Sequence, residues 1–558
     1  MSLSAHLPSC KKEDKLSVPS SKKVNCILNN KWVKILITKF SQVLKDMKDR
    51  RPNESNIDKI IGCGKYQFFH SIVYQLIIIL LSCNMSIMAF LKKVPNEWTC
   101  RNDSSNSDFN RSKMVFSTAS ICLHEKYANS TCSNYVPFGE QDFYSIVSEW
   151  NLICSRAYLV YLSITVQMAG LLFGSPLCGQ MADYYGRKWV LFGSVVALTI
   201  FGNASAFVND IISFTVLRFL IGFTCGSLMV VNVVYITEFL TPKHRLWVTS
   251  VGSWPVGQGL LALLAWTLAN WRLLTIVVNC AALPALPLLF FMEESPHWAV
   301  NRAKRTVAHK SLSFVVKMNR SGLNGDLPMN VVDNLIDEQN DNDQQQRTKT
   351  MYHFWHIFAY KRLASYFIII SLCTSAVNMV TYTMLLDSDA LPGNHFLNFF
   401  IMTSLVRFFS ASGFILADYY VKPFGRKLAL SIPALVISVA SFVIVLLKGS
   451  VFGKGNYGAV LNVATFLSMF MTSPIYITSM LSTSEVFPTP IRNVASGFAQ
   501  IFIRSSALVA PVFLYLAYYW APGPYLICAV TTFLSGICWF LFMPETKGHP
   551  LPDRMPSK

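Results

Sequence analysis

The pattern of apolar and polar positions is dominated by apolar stretches of about twenty residues, separated by short polar loops. A bilayer core about 30 Å thick is crossed by roughly 20 apolar residues in a helix. Lipid offers no hydrogen-bond partners to backbone N–H and C=O groups, so such stretches predict helices rather than strands. We therefore predict an all-α membrane protein with twelve transmembrane helices, at residues 68–91, 156–178, 188–208, 211–233, 246–268, 272–292, 364–386, 395–416, 427–448, 457–480, 493–518 and 523–543.

The polar segments divide these spans into two six-helix halves, at residues 66–292 and 363–545. The first apolar stretch begins too far from the N-terminus for a secretory signal peptide, so we expect cytoplasmic termini. The remaining segments are a cytoplasmic N-terminal segment, a large extracellular loop, a cytoplasmic central loop and a cytoplasmic tail, at 1–65, 92–155, 293–362 and 546–558. A basic, partly apolar stretch at 30–40 either lies on an anionic membrane surface or belongs to a disordered tail.

Composition and charge support the membrane assignment. Hydrophobic residues make up 52% of the chain and charged residues 14%, against about 25% charged in soluble proteins. The formal net charge of +18 comes from basic residues concentrated before span 1 and in the loops after alternate spans. This distribution is typical of cytoplasmic loops and not of a nucleic-acid-binding domain. We expect membrane lipid and a small organic ion as partners, and no nucleic acid.

The loop at 92–155 combines glycosylation sequons with an even number of cysteines, as expected of an oxidising exterior. The sequons begin at Asn102, Asn110 and Asn129, and the cysteines are Cys100, Cys122, Cys132 and Cys154. Four cysteines allow three disulfide pairings, and all three remain open. Because the loop has no Cys-x-x-Cys pair, we expect neither a metal nor a cofactor.

Charged landmarks recur in the same order in both halves, each on the predicted cytoplasmic side. The repeat comprises Asp183, Arg187, Glu238 and Arg245 in the first half, and Asp418, Arg426, Glu485 and Arg492 in the second. Two parallel six-helix halves are the architecture of the major facilitator transporters, with the substrate site between them. We predict that these eight residues form pairs that gate the cytoplasmic side. The alternative is that they anchor helix ends and set the topology.

Several further motifs resemble the organic cation, anion and zwitterion (carnitine) transporter family of the major facilitator superfamily. They are Gly64-Lys-Tyr-Gln67, the stretch 145–154, Glu293-Glu-Ser-Pro-His-Trp298, the stretch 485–493, Pro544-Glu-Thr-Lys-Gly548 and Pro550-Leu-Pro-Asp553. His297 replaces the arginine that the family carries in the third motif. The resemblance covers most of residues 58–553 and implies a secondary transporter of small organic ions that works by alternating access.

Charged side chains inside spans are energetically costly and usually functional. We predict that Arg504, Arg407 and Arg218 bind the substrate, with Trp254 and Tyr382 lining the cavity. In the family that the chain resembles, cation carriers place Asp at the position of Arg504, and anion or carnitine carriers place Arg. Many members also carry an acid in span 8 where this chain has Val406. A guanidinium suits a carboxylate, so the sequence favours organic anions or zwitterions such as carnitine.

Other functions remain as alternatives. Aromatic side chains can hold quaternary ammonium groups, so an organic cation transporter is the first alternative. A transporter-like receptor or sensor without flux is the second. The chain has none of the nucleophile-elbow, zinc-protease or phosphate-loop motifs, so we expect no enzyme and no ATP-driven pump. The sequons favour the plasma membrane over an internal membrane.

Overall fold

The structure is a computed structural model of the chain. It describes residues 56–95, 97–101, 115–117, 121–122, 134–138, 142–241, 248, 253–319, 328–337, 355–420, 425–449, 457–517 and 519–546. Residues 1–55 lie outside these ranges. The basic stretch at 30–40 therefore lies outside the described residues.

The first half supplies spans 1 to 6. A short helix, Asn56–Ile61, precedes them. The spans are Lys65–Leu91, Cys154–Tyr185, Arg187–Ser205, Ile211–Thr237, Ser253–Leu268 and Trp271–Phe291. Span 1 consists of helices Lys65–Ser86 and Met88–Leu91, and span 2 opens with a 3-10 turn at Cys154–Arg156. Span 6 is divided into Trp271–Cys280 and Ala285–Phe291, since Pro284 interrupts the helix. Residue 246, where span 5 was predicted to start, lies outside the described residues.

The second half supplies spans 7 to 12, after the loop helices Pro296–Asn301, Arg305–Asn319 and Trp355–Ala359. The spans are Lys361–Ala390, His395–Tyr420, Arg426–Lys448, Gly458–Val486, Thr489–Leu516 and Gly523–Phe542. Span 7 ends in a 3-10 turn at Asp387–Ala390, and span 8 contains a π-helical segment at Ile401–Leu405. Within the described residues, eleven helices are long and apolar enough to cross a membrane, and span 5 is a shorter apolar helix.

The loop between spans 1 and 2 contains a small antiparallel sheet outside the spans. Its strands are β1 (Glu97–Arg101), β2 (Val115–Ser117) and β3 (Asn134–Pro137), in the order β2-β1-β3. The helix Ile146–Trp150 follows. The all-α prediction holds for the spans, and the strands among the described residues lie outside them, as expected of backbone edges that need water as a hydrogen-bond partner. We call the side of the protein that carries this sheet the first-loop face, and the opposite side, which carries the helices Pro296–Asn301 and Arg305–Asn319, the central-loop face.

Spans 2 and 4 approach each other closely along glycines. A Cβ atom added at Gly170, Gly174 or Gly222 would overlap backbone atoms of the facing helix. Small residues allow the two helices to pack closely. The van der Waals contacts that result stabilise helix association in lipid, where the hydrophobic effect does not. The two halves meet near the first-loop face, where the rings of Tyr161 on span 2 and Tyr515 on span 11 lie 5.9 Å apart. The central site described below lies deeper, between spans of both halves.

Candidate central site and charged clusters

Two arginines from the second half share one polar neighbourhood inside the spans. Arg504 lies in the middle of span 11 with 7% of its surface exposed. Arg407 lies on span 8 and is partly buried. Each lies within charge-interaction range of the hydroxyl groups of both Tyr382 on span 7 and Tyr476 on span 10. Among the described residues no carboxylate interacts with either guanidinium, so the pair is a concentration of uncompensated positive charge.

Arg504 also reaches across to the first half. Its Nη1 atom lies 3.0 Å from the sulfur of Met229 on span 4. A thioether is only a weak acceptor and cannot neutralise a guanidinium. The guanidinium of Arg504 therefore lies between the halves, and an anionic oxygen can replace the Met229 sulfur as its acceptor.

Local backbone geometry sets the direction of Arg407. The π-helical segment Ile401–Leu405 ends two residues before it. A π segment inserts one extra residue into a helical turn, which rotates all following side chains, and such segments are frequent at functional sites. Span 5 packs against this segment, since a Cβ atom at Gly259 would meet the Ser404 side chain at 2.7 Å.

Arg218 and Trp254 are placed differently from the arginine pair. Arg218 is 1% exposed, its guanidinium lies 4.6 Å from the ring centre of Phe214, and its Nε and Nη2 atoms have no partner among the described residues. Its charge interacts with Cys225, which in turn lies in range of Tyr382. Trp254 is partly buried and packs against the core of the first half. Arg218 therefore lies beside the central site, on the side of the first-loop face.

A charged cluster lies at the central-loop end of the first half. Arg187 donates to the carboxylate of Asp183 and, from Nη2, to Glu238 at 3.2 Å. Glu294 accepts from the backbone N–H groups of Arg187 at 2.8 Å and Lys188 at 3.0 Å, which caps the start of span 3. Burial of this carboxyl raises the pKa of Glu294, while the backbone donors act against that shift.

The second half repeats the arrangement. Arg426 donates to Asp418 at 2.9 Å and to Glu485 at 3.1 Å. Glu545 accepts from the backbone N–H groups of Arg426 at 2.7 Å and Lys427 at 3.1 Å. Each of the two clusters forms within one half, so its direct effect is to hold the helix ends of that half together.

The remaining predicted site residues are only partly described. Arg245 lies outside the described residues. Arg492 donates to the Phe487 carbonyl at 3.3 Å, whereas Glu485 is held by Arg426 and by the Thr546 hydroxyl at 2.6 Å. Arg492 therefore belongs to a helix-end contact in this structure.

The large loop is described only in part. Cys122 and Cys154 form a disulfide, which is one of the bonds that the sequence left open. Cys100 lies on β1, opposite Tyr135, and Cys132 lies outside the described residues. The sequons at Asn102, Asn110 and Asn129 also lie outside them.

Tyr476, Met229 and the two capping glutamates were missed as site residues by the sequence analysis. For the glutamates a signal existed, since Glu294 follows span 6 and Glu545 follows span 12, at equivalent places in the two halves. Tyr476 follows Pro474 within an apolar helix, which was a weaker indication. Nothing in the sequence distinguishes Met229 from the other apolar residues of span 4.

Comparison with known proteins agrees with this architecture. The Major Facilitator Superfamily domain matches residues 155–511. The inward-open xylose transporter of E. coli superposes with a TM-score of 0.60 at 17% identity, covering 87% of this chain and 98% of that one. The organic cation transporter-like protein of Drosophila melanogaster is 28% identical over 435 residues, covering 75% of this chain and 74% of the relative.

Two vertebrate relatives extend the comparison. Solute carrier family 22 member 16 of Xenopus laevis is 27% identical over 76% of this chain and 73% of its own. Solute carrier family 22 member 4 of Mus musculus is 27% identical over 77% of this chain and 75% of its own. The resemblance carried by the sequence motifs is confirmed, and a transporter family is not an enzyme class. The chain belongs to the major facilitator superfamily, and it is a multi-pass secondary transporter related to the solute carrier 22 organic ion transporters.

Proposed function

We propose that this transporter carries small organic anions, or zwitterions with a carboxylate such as carnitine, across the plasma membrane. The observation that carries the proposal is the pair Arg407 and Arg504, whose charges interact with two tyrosine hydroxyls and with no carboxylate among the described residues. An unpaired charge inside a membrane protein costs about 2.5–3.5 kcal/mol. A substrate carboxylate offsets that cost by accepting two parallel N–H bonds from a guanidinium.

The proposed role of the hydroxyls follows from the same geometry. Tyr382 and Tyr476 can donate to a carboxylate that the arginines hold, and their rings can contact the apolar part of the substrate. Arg218, on the side of the first-loop face, is proposed to draw anions towards the pair. Trp254 is proposed to line the first-half wall of the cavity.

We place the first-loop face outside the cell and both termini in the cytoplasm. The support is the concentration of Lys and Arg before span 1, together with the Cys122–Cys154 disulfide and the three sequons of the first loop. Oxidising conditions favour such a disulfide, and basic segments stay on the cytoplasmic side. The sequons at Asn102, Asn110 and Asn129 are proposed to carry glycans.

The eight repeated charged residues are proposed to gate the cytoplasmic side. The support is that Arg187 and Arg426 make equivalent ion pairs in the two halves. Partly exposed pairs contribute little each, so they can rearrange at low cost as the halves move. For Arg245 and Arg492 the proposal depends on the repeat alone.

An organic cation transporter is the second candidate. The names of several relatives favour it, and the rings of Tyr382 and Tyr476 offer aromatic faces to an ammonium group. The two arginines oppose it, since they repel a cation in the same cavity. A zwitterion such as carnitine reconciles both features, because its carboxylate and its ammonium group use different walls.

Uptake into proteoliposomes tests the proposal. We expect labelled anions or zwitterions to accumulate, Arg504→Ala to reduce uptake by about 30-fold, equivalent to about 2 kcal/mol, and Arg504→Lys to restore it only in part. Arg156→Ala is the matched control, because Arg156 is an exposed arginine at the first-loop end of span 2. Binding without flux would favour a sensor, and equal uptake by Arg504→Ala and Arg156→Ala would contradict the assigned role of Arg504.

A further inference from the structure

An ion pair joins the two halves at the first-loop face. Lys92 follows the end of span 1, and Asp389 lies in the turn that ends span 7. Their Nζ and Oδ1 atoms are 2.6 Å apart, and the side chains are only 6% and 18% exposed. Because the partners come from different halves, the pair must break when this face opens.

A histidine is buried beside this pair. His395 is the first residue of span 8, is 6% exposed, and has no hydrogen-bond partner on either ring nitrogen among the described residues. Its ring lies 5.0 Å from that of Phe90 on span 1 and 5.7 Å from that of Phe396. The Ser388 backbone faces the ring without meeting hydrogen-bond geometry. The imidazole therefore also sits at the junction between the halves, where Asp389 and the Ser388 backbone favour its charged form and burial opposes it.

The charged groups around His395 oppose one another. Asp389 attracts a proton to the ring, whereas Lys92 and Lys93 repel it. The other charges nearby are already paired. Asp387 binds Lys448 at 2.7 Å, and Asp142 binds Lys93 at 3.3 Å. Tyr161, on span 2, interacts with both members of the Lys92–Asp389 pair.

These contacts give protonation a definite consequence. A neutral ring fits among the phenyl groups and leaves Asp389 to Lys92. An imidazolium ion in the same place lacks solvation, is repelled by Lys92, and competes with that ammonium group for the carboxylate of Asp389. Each of these three effects weakens the contact between the halves.

We propose that His395 is a proton-sensitive latch: its protonation releases Asp389 from Lys92 and opens the first-loop face. In the orientation proposed above, acid outside the cell then increases the fraction of outward-open transporter. The inference depends on the proposed transport cycle. Its test measures conformation without substrate, so it can fail independently of the proposed substrate.

The experiment measures how fast a maleimide labels a single introduced cysteine in the purified protein. Tyr161→Cys reports opening, because Tyr161 packs against Tyr515 where the halves meet. Val94→Cys is the control, since Val94 is exposed at the same face and corrects for the effect of pH on thiol reactivity. Labelling of the parent chain, without a new cysteine, is subtracted.

We expect the Tyr161→Cys rate, relative to Val94→Cys, to rise roughly threefold or more between pH 7.5 and pH 5.5, as protonation of an ordinary histidine allows. In His395→Gln, which is polar but does not titrate in this range, the relative rate should stay constant. A pH response that is unchanged in His395→Gln would overturn the proposal. A relative rate that does not change with pH while His395 is present would also overturn it.

A charge exchange provides the second test, independent of whether the histidine variant folds. Asp389→Asn alone should raise the relative labelling rate at pH 7.5, because it removes the carboxylate of the latch. The double variant Lys92→Asp with Asp389→Lys should lower it again, since the ion pair is restored in reverse. If Asp389→Asn does not change the relative labelling rate of Tyr161→Cys, the ion pair does not hold this face closed and the latch is refuted.

Discussion

Gly186 provides a sharp test of the charged cluster at the central-loop end of the first half. Its φ of +115° lies in a region that L-residues rarely adopt, and a Cβ atom there would overlap the carboxylate of Glu294. We predict that Gly186→Ala costs about 1–3 kcal/mol in backbone strain. Displacement of Glu294 from its two backbone donors adds about 1.5–3 kcal/mol, the usual contribution of a hydrogen bond to a charged group.

The expected total is about 4 kcal/mol, which corresponds to a melting temperature lower by roughly 8–16 °C for a half of this size. The assay is thermal unfolding of the purified protein in detergent. Gly193→Ala is the matched control, because a Cβ atom at Gly193 meets nothing within 4 Å and the residue lies inside span 3. That change should stabilise the helix by about 0.5–1 kcal/mol.

The equivalent glycine of the second half refines the test. Gly425 has an ordinary φ of −78°, but a Cβ atom there would overlap the Glu545 carboxylate. Gly425→Ala should therefore lose only the capping bonds, about 2 kcal/mol, and melt between the other two variants. Melting temperatures for Gly186→Ala and Gly193→Ala within 2 °C of each other, an interval far below the shift estimated above, would refute this reasoning.

The remaining predictions concern the first loop and the central site. Cys122→Ser opens a bond that closes a separation of 32 residues, so calorimetry should show a loss of about 4 kcal/mol. Glu149 accepts from the indole of Trp271 at 2.7 Å and pairs with Arg272, so Glu149→Gln should expose the loop to limited proteolysis at least several-fold faster, whereas an unchanged rate would contradict this docking. Tyr476→Phe should weaken anion uptake by about 10-fold, measured against Tyr158→Phe, an exposed tyrosine.

Features that depend on local pattern were predictable from the sequence. The spans follow from the length of the apolar stretches, and the two halves from the recurrence of Asp183 and Asp418 with their neighbouring arginines. Arg407 and Arg504 were identified because a charge within a span is unusual on its own. Each of these features can be recognised in one stretch of sequence.

Features that depend on the approach of distant helices were not predictable. The Lys92–Asp389 pair joins residues far apart in the chain, and each residue alone resembles an ordinary charge at a helix end. Arg492 shares its spacing with the first half, but the helix-end geometry directs it to the Phe487 carbonyl. The π segment before Arg407 has no recognised sequence pattern, so the direction of that side chain appears only in the structure.

The charge of the transported substrate is the central claim, and a charge-selectivity measurement tests it most directly. Uptake of an anion, a zwitterion and a cation of similar size is compared between the wild type and Arg504→Asp, with Arg156→Asp as control. We predict that the wild type carries the anion or the zwitterion, and that Arg504→Asp loses this uptake because a carboxylate repels the substrate. Uptake of the cation alone by the wild type, unaffected by the change at Arg504, would contradict the claim.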